Sequence, residues 1–497
     1  MKARIESYTM PFIYAESVYY SVKAADRYIP VISFLTDRDY DYAHFSFEGT
    51  ARVVITCSEP IVTYSISPLA LNIHGNLNDC ELSFDLQESR YLILKINNLK
   101  ELVIIADPLE TDRPLASGEG IYNVVTVYGA DNAGASMATS AIQQAINDAG
   151  LAGGGIIYVP EGVYKIGNLT LVSHVTLYLE GGAVLRATDN SEDYTVNFHK
   201  TSLKMDGTWL LQTEPDSCNI TIKGRGTIDG NGSWLRNHQS FVSNLIVPMT
   251  VSGFTIDGII GRDAGLWALI PTRSKGVKIS NYKGFQSMTD YEDDAIDIIE
   301  SQDVLIKHTI AISEDDSYST KTWNECTDIA KNWSGKPKTL ENVTIDDAIA
   351  WTCCAAFKLG MGVEQAQRNV TFKNGYIYKA SRALSVHHRL GDAPAEQITF
   401  ENIDIEQVIY TRNGPYWLQL EIEEHGRGIG PVRNVTLRNI NIRDKGTLPS
   451  KLRGKEHFMV ENVIFDHIYM PGSTKPALTL QEMNIIDTDL YTLKDIH

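Results

Sequence analysis

The sequence predicts an all-β protein, a right-handed parallel β-helix preceded by an N-terminal antiparallel β-sandwich. Three observations predict it. Residues 1–118 read as short strands of alternating polarity separated by polar turns. From about residue 219 a short motif recurs at a base interval near 28 residues. Inside that repeat there is almost no helical period, which separates a β-helix from a helix-covered sheet.

In chain order, the segments YIPVISFLT, HFSFEGTARVVITC, IVTYSIS, CELSFDL, YLILKI and LVIIAD carry the two-residue alternation of half-buried strands. This first domain, 1–118, holds no cluster of catalytic side chains and reads as an accessory module. The second domain, 119–497, opens on the one convincing helix, in TSAIQQAINDAG. Thr139 or Ser140 is expected to cap it, Gln143 completes a capping box, and Gly150 ends it. Ala141, Ile142, Ala145, Ile146 and Ala149 form one apolar stripe, suited to cover the open end of a strand stack. The glycines of AGGGIIYVPEG follow this helix, the wrong order for a phosphate-binding loop.

The repeat is Asn/Gln–Val/Ile–Thr–apolar or a close variant. Its first apolar residue falls at Ile220, Met249, Val277, Val304, Val343, Val370, Ile398, Val435 and Val463, with gaps of 29, 28, 27, 39, 27, 28, 37 and 28. The two long gaps place extra residues in 321–339 and 405–430, expected as loops on one face.

Composition narrows the function. Of 497 residues, 43% are apolar and 21% charged, enough apolar chain for a large core. Lys and Arg total 44 against 62 Asp and Glu, a net charge of −18. Such a surface repels phosphate backbones and anionic lipid, so neither nucleic acid nor membrane is an expected partner, although a local cationic pocket remains open. No apolar run reaches 18 residues, and MKARIESYTMPFIYAESVYY lacks the apolar core of a secretory signal, so a cytoplasmic location is expected. Cys57, Cys80, Cys218, Cys326, Cys353 and Cys354 show neither a disulfide framework nor a CxxC metal pair.

The chemistry concentrates in a second alignment. Residues 292–299 read EDDAIDII and 314–321 read EDDSYSTK, offset by 22. If 22 residues make one local coil, Glu292, Asp293 and Asp294 neighbour Glu314, Asp315 and Asp316 on adjacent strands about 4.8 Å apart. Alternation sends Ile296, Ile298, Tyr318 and Thr320 to one face, and Asp294, Asp316 and Asp297 away from it or into the preceding turn. Stacked like charges destabilise a sheet and raise one another's pKa, so a cation or a catalytic role must compensate. Two carboxyls of unlike pKa suit glycosidic bond hydrolysis, one as acid and one to activate water. Tyr291, Tyr318, Trp323, Trp333, Trp351 and Trp417 could offer stacking faces for sugar rings.

These residues resemble glycoside hydrolase family 28, the polygalacturonase-like β-helix enzymes, and the related dextranase-like family 49. The resemblance runs from about residue 125 to 470 through VYGADNAG, TSAIQQAI, GGGIIYVPEGVYKIGNLTL, VTLYLEGGAVLRA and GRGTIDGNGSW. The family's three catalytic aspartates lie in an Asn-Thr-Asp segment and an Asp-Asp pair 21 and 22 residues later, a spacing matched by Asp294, Asp315 and Asp316. The resemblance implies an inverting hydrolase with Asp315 as general acid and Asp294 and Asp316 activating water across a carboxyl gap of about 6.5–9.5 Å.

Departures from the family matter as much. Its Asn is Glu292 here, its Gly-His-Gly coil aligns with Cys354-Ala355-Ala356, and its Arg-x-Lys pair aligns with Ser385 and His387. Without that fork a uronic acid loses its main charge partner, so a neutral α-linked sugar is expected. Lys358, Arg382, His388 and Arg389 are cations able to substitute. Asp297, Lys321, Lys358, His387, His388, Arg389, Trp323 and Glu421 complete the expected substrate-binding set, with Gln419 and Glu423 near it. No cofactor is expected, and oligomeric state is unreadable. The loops lean toward exo-action on an oligosaccharide. The competing readings are a polysaccharide lyase holding calcium at the acidic cluster and a non-catalytic carbohydrate-binding β-helix.

Overall fold

The computed structural model describes residues 3–325, 327–412 and 414–497; Cys326 lies outside them. The other five cysteines carry free thiols. No helix is long and apolar enough to cross a membrane among the described residues.

The N-terminal strands form two sheets, of seven and five strands. Their inner faces share one core that includes Val22, Ile29, Phe45, Val53, Ile55, Leu82, Leu92 and Ile104. Pairing is antiparallel except that Asp41–Glu48 and Leu102–Pro108 run parallel. That join brings the last strand of the sandwich to its middle, and the chain then leaves toward the β-helix.

From Ile121 onward the chain winds as a right-handed parallel β-helix. One sheet of nineteen strands runs its full length. The opposite wall is divided into a four-stranded sheet and a seven-stranded one, joined through isolated bridges such as Leu269 to Ile296. The helix Thr139–Leu151 buries Ile142, Ala145, Ile146 and Ala149 in the end of the coil. Its N-cap is Ala138, with no side-chain cap, and Gly150 lies inside it rather than beyond it. Thr139 Oγ1 instead accepts from the Gly167 amide at 2.8 Å, tying the helix to the first coils.

The repeat motif has a backbone cause. The residue before each inward apolar position adopts positive φ: Asn219, Gly253, Gly276, Asp303, Asn342, Asn369, Gln397, Asn434 and Asn462. Asn and Gly tolerate that left-handed turn best. The side chains also ladder between rungs, Asn369 donating to Asn342 at 2.8 Å and Asn342 to Asp303 at 3.0 Å. This corrects one position. Phe254, not Met249, stands in register with Ile220 and Val277, so the first two intervals are 34 and 23 residues. Met249 follows Pro248 and makes only an isolated bridge to Thr272.

The sandwich packs on the long sheet. Phe34, Tyr40, Tyr42, Tyr91 and Ile105 share a buried cluster with Ile260, Phe285, Ile310, Ile312 and Trp351. Buried charges within it are matched: Lys283 donates to Asp107 at 2.6 Å, and Tyr14 to Asp229 at 2.7 Å. The opposite, seven-stranded wall is thereby left facing outward.

Candidate active site

The seven-stranded wall positions the site. Its strands Ile296–Ile299, Tyr318–Thr322, Ala355–Val363, Arg382–Leu390 and Tyr416–Ile422 stack in parallel register. Ile296 sits beside Tyr318 and Asp297 beside Ser319, the 22-residue offset read from the sequence. Ile296, Tyr318, Phe357, Leu384 and Leu418 point into the core. The alternate positions make an outward column, Asp297–Ser319–Lys358–Ser385–Gln419, and, on the two sides of a register shift after Thr320, the shorter columns Ile299–Lys321 and Gly360–His387–Glu421. A cleft of about 740 Å³ opens over these columns. Asp294, Asp315 and Asp316, from the turns preceding the first two strands, all line it.

Two buried ammonium groups hold Asp294 and Asp316 together, and Asp315 pairs instead with Arg412. Lys321 Nζ lies 2.5 Å from Asp294, 2.7 Å from Asp297 and 4.0 Å from Asp316. Lys358 Nζ lies 2.6 Å from Asp316. Burial opposes charge on Asp316, yet Lys358, Lys321 and Arg382 hold its carboxyl below the usual carboxylate range. Burial and the Asp297 carboxylate push Asp294 well above it, against Lys321. Two neighbouring acids are thus driven apart in proton affinity. Lys321 also lies 4.3 Å from the Trp267 ring centroid, so a flat apolar face adjoins the charges.

The remaining acids of the two EDD segments do not stack as like pairs. Glu292 turns to Lys200 at 2.7 Å, and Glu314 to Arg412. Asp293 turns inward, its Oδ1 accepting the Glu314 amide at 2.9 Å and the Asp315 amide at 3.1 Å. It therefore fixes the backbone of the acidic turn. Burial pushes the Asp293 carboxyl well up and raises that of Glu314 to about 7, in spite of Arg412.

The expected substrate-binding residues divide. Lys321, Lys358, His387, Arg389, Trp323 and Glu421 line the cleft. Asp297 does not, being fully buried beneath Lys321 and hydrogen-bonded to Ser319. His388 does not either; its side chain turns from the cleft and its Nε2 meets the Ala393 carbonyl at 2.7 Å. Tyr318 and Trp417 belong to the core, and Trp351 to the sandwich interface. His387 pairs with Glu423 at 2.8 Å. Burial lowers His387 to about 4 while that hydrogen bond lowers Glu423 to about 2, so a neutral ring donates from Nε2 to a carboxylate. Residues missed from the sequence are Arg412, Arg427, Lys451, Lys200 and Trp267. Arg412 and Arg427 lie in the second long gap of the repeat, the one signal that marked them as different.

Two groups have metal-ligand geometry, Asp315–Asp316–Cys354 and His387–Glu421–Glu423. Each already faces cations. Arg412 and Lys358 hold the aspartates, Arg382 donates to Cys354 Sγ at 2.7 Å, and Lys451 lies 2.9 Å from Glu421. The charge a calcium ion would neutralise is therefore neutralised by side chains.

Against known proteins, residues 156–488 match the model of the family described as Glycosyl hydrolases family 28. An exo-poly-alpha-D-galacturonosidase of Dickeya chrysanthemi is 38% identical over 128 residues, 23% of this chain and 20% of that protein. The chain thus spans a fifth of that relative's length. Two solved structures share the fold. The Yersinia enterocolitica family 28 exopolygalacturonase has a TM-score of 0.57 at 16% identity, covering 90% of this chain and 96% of that one. Dex49A from Penicillium minioluteum has a TM-score of 0.57 at 12% identity, covering 98% and 96%. With two thirds of its length inside the family match, and the acidic turns within that span, the chain belongs to glycosyl hydrolases family 28.

Proposed function

We propose that this protein is an inverting glycoside hydrolase that removes galacturonic acid units from the end of an α-linked oligogalacturonide. The observation that carries the chemistry is that Asp294 and Asp316, bound by Lys321 and Lys358, share one cleft with Asp315, bound by Arg412. In this reading Asp315 protonates the leaving glycosidic oxygen. Asp294 and Asp316 hold the water that attacks the anomeric carbon from the opposite face, and one of them takes its proton.

The choice of a uronic acid revises the expectation of a neutral sugar. That expectation rested on the missing Arg-x-Lys pair, whose positions are indeed Ser385, bonded to Gln419, and a neutral His387. The cleft nevertheless gathers Lys200, Lys321, Lys358, Arg382, Arg389, Arg412, Arg427 and Lys451 in a protein of net charge −18. These cations supply from other rungs the charge that a carboxylate substrate needs. The relative's printed activity supports the same substrate. Exo-action is supported by two loops that meet over one end of the cleft, where Arg427 lies 5.9 Å from the Trp323 ring centroid and pairs with Glu364.

Reducing-sugar release from tri- and tetragalacturonate, with products resolved by length, tests this reading. Monomer as the first product, and loss of about a thousandfold in kcat on Asp315→Asn, are expected. Full activity in that variant would remove the assignment.

A further inference from the structure

Both carboxyl oxygens of Asp315 face donors in this structure. Its Oδ1 accepts the Asp316 amide at 2.9 Å, and its Oδ2 accepts from Arg412 Nη2 at 3.2 Å. Each oxygen already has a donor facing it. A carboxyl that is to donate a proton needs one oxygen carrying hydrogen and turned to the leaving group, a direction for which the guanidinium N–H competes. The amide is fixed backbone. Arg412 is a side chain one-third exposed, in the loop between strands Ala395–Val408 and Tyr416–Ile422. Its other nitrogen holds Glu314, and its guanidinium lies 4.7 Å from the centroid of the exposed Tyr291 ring.

We propose that Arg412 is a substrate-operated latch on the general acid and the residue that selects a carboxylate on the leaving sugar. The inference rests on the uronic acid reading above. In the empty cleft the guanidinium occupies Asp315 Oδ2. The oxygen it covers is the one that must face the scissile glycosidic oxygen, so the ring beside that oxygen lies within reach of the same guanidinium. A carboxylate on that ring offers Arg412 a new bidentate partner. Arg412 stays paired as it moves, and Asp315 Oδ2 is uncovered. Asp315 then takes a proton from solvent and passes it to the glycosidic oxygen as the bond to the anomeric carbon breaks. Water completes the substitution and loses its proton to Asp294 or Asp316. Glu314, whose carboxyl burial already holds up to about 7, can accept a proton when the guanidinium leaves, so no second buried charge is stranded. A neutral sugar gives Arg412 no reason to leave.

The test compares trigalacturonate with its methyl ester, which has the same rings without the charge, on wild type, Arg412→Gln and Arg412→Lys. Wild type is expected to prefer the acid. In Arg412→Gln the ratio of kcat/KM for acid over ester should fall roughly ten- to a hundredfold, the effect of losing one charged hydrogen-bonding partner. Arg412→Lys, which keeps the charge, should recover much of that ratio. A merely structural role would lower both substrates together and leave the ratio at its wild-type value, which overturns the latch while leaving the uronic acid reading standing. Wild type that cleaves only the ester, or neither substrate, overturns that reading and the latch with it.

Discussion

Lys358 shows how single side chains set this chemistry. It occupies the outward column one rung beyond Ser319 and touches Asp316 at 2.6 Å, where it offsets the cost of burying that charge. With Lys358→Met, Asp316 loses the leading cation that holds its carboxyl low. Its protonation then moves to higher pH. The acid limb of the kcat/KM profile on oligogalacturonide is expected to shift upward by about one unit or more, with kcat down about a hundredfold. An unmoved acid limb would mean that Asp316 need not be ionised. At this scale the sequence was legible where register alone decides: a 22-residue offset put Asp294, Asp315 and Asp316 in one place. It was not legible for Arg412 or Arg427, because loop residues carry no period. Alternation set Asp294 apart from Asp293, but gave no sign that Asp293 would bond the turn's amides.

At the scale of elements, the loop after strand Tyr318–Thr322 is fastened by one buried ion pair. Arg273 lies 2.7 Å from Glu300 and donates to the carbonyls of Trp333, Ser334 and Gly335. Glu300 accepts the amides of Trp323 and Lys338, so the pair grips both ends of the loop. That loop supplies Trp323, Thr327, Asp328 and Ile329 to the cleft wall. Arg273→Ala leaves Glu300 buried and unpaired, at an expected cost of about 3–5 kcal/mol in urea unfolding. KM is expected to rise more than kcat falls, because the loop walls the cleft without reaching the aspartates. A variant with native stability and KM would contradict this account of the loop. Both insertions were legible as breaks in the interval, but the second, expected as a loop over 405–430, is split by strand Tyr416–Ile422. One early rung misled because Gly253 fills the left-handed position that Asn fills in other rungs, and a motif written around Asn passes over it.

For the molecule as a whole, the sandwich buries its outer face on the long sheet and joins the coil through polar contacts of high sequence separation. Glu406 is one. It accepts from Ser67 Oγ and the Leu69 amide, each at 2.6 Å, and burial raises its carboxyl to about 7. A carboxyl whose folded pKa exceeds its unfolded value near 4.5 contributes stability below pH 4.5 that is lost as pH rises through 7. Relative to Glu406→Gln, wild type is therefore expected to lose up to about 3 kcal/mol in urea unfolding between pH 4.5 and 7.5. Parallel stability curves for the two proteins would remove Glu406 as a titrating link.

The strand alternation of residues 1–118 was readable, but not which sheet of the coil would receive the sandwich. That choice depends on Tyr40, Tyr42 and Tyr91 meeting Phe285 and Ile312, a pairing without local signal. Seating the sandwich there leaves the aspartates on the free wall, and the account of the whole protein depends on what they do. The most direct test is the anomeric configuration of the first sugar released from trigalacturonate, followed by proton NMR before mutarotation. An acid at the leaving oxygen and two carboxyls holding water on the opposite face predict the β-anomer from an α-linkage. An α-anomer, or an unsaturated product absorbing in the ultraviolet, would contradict it.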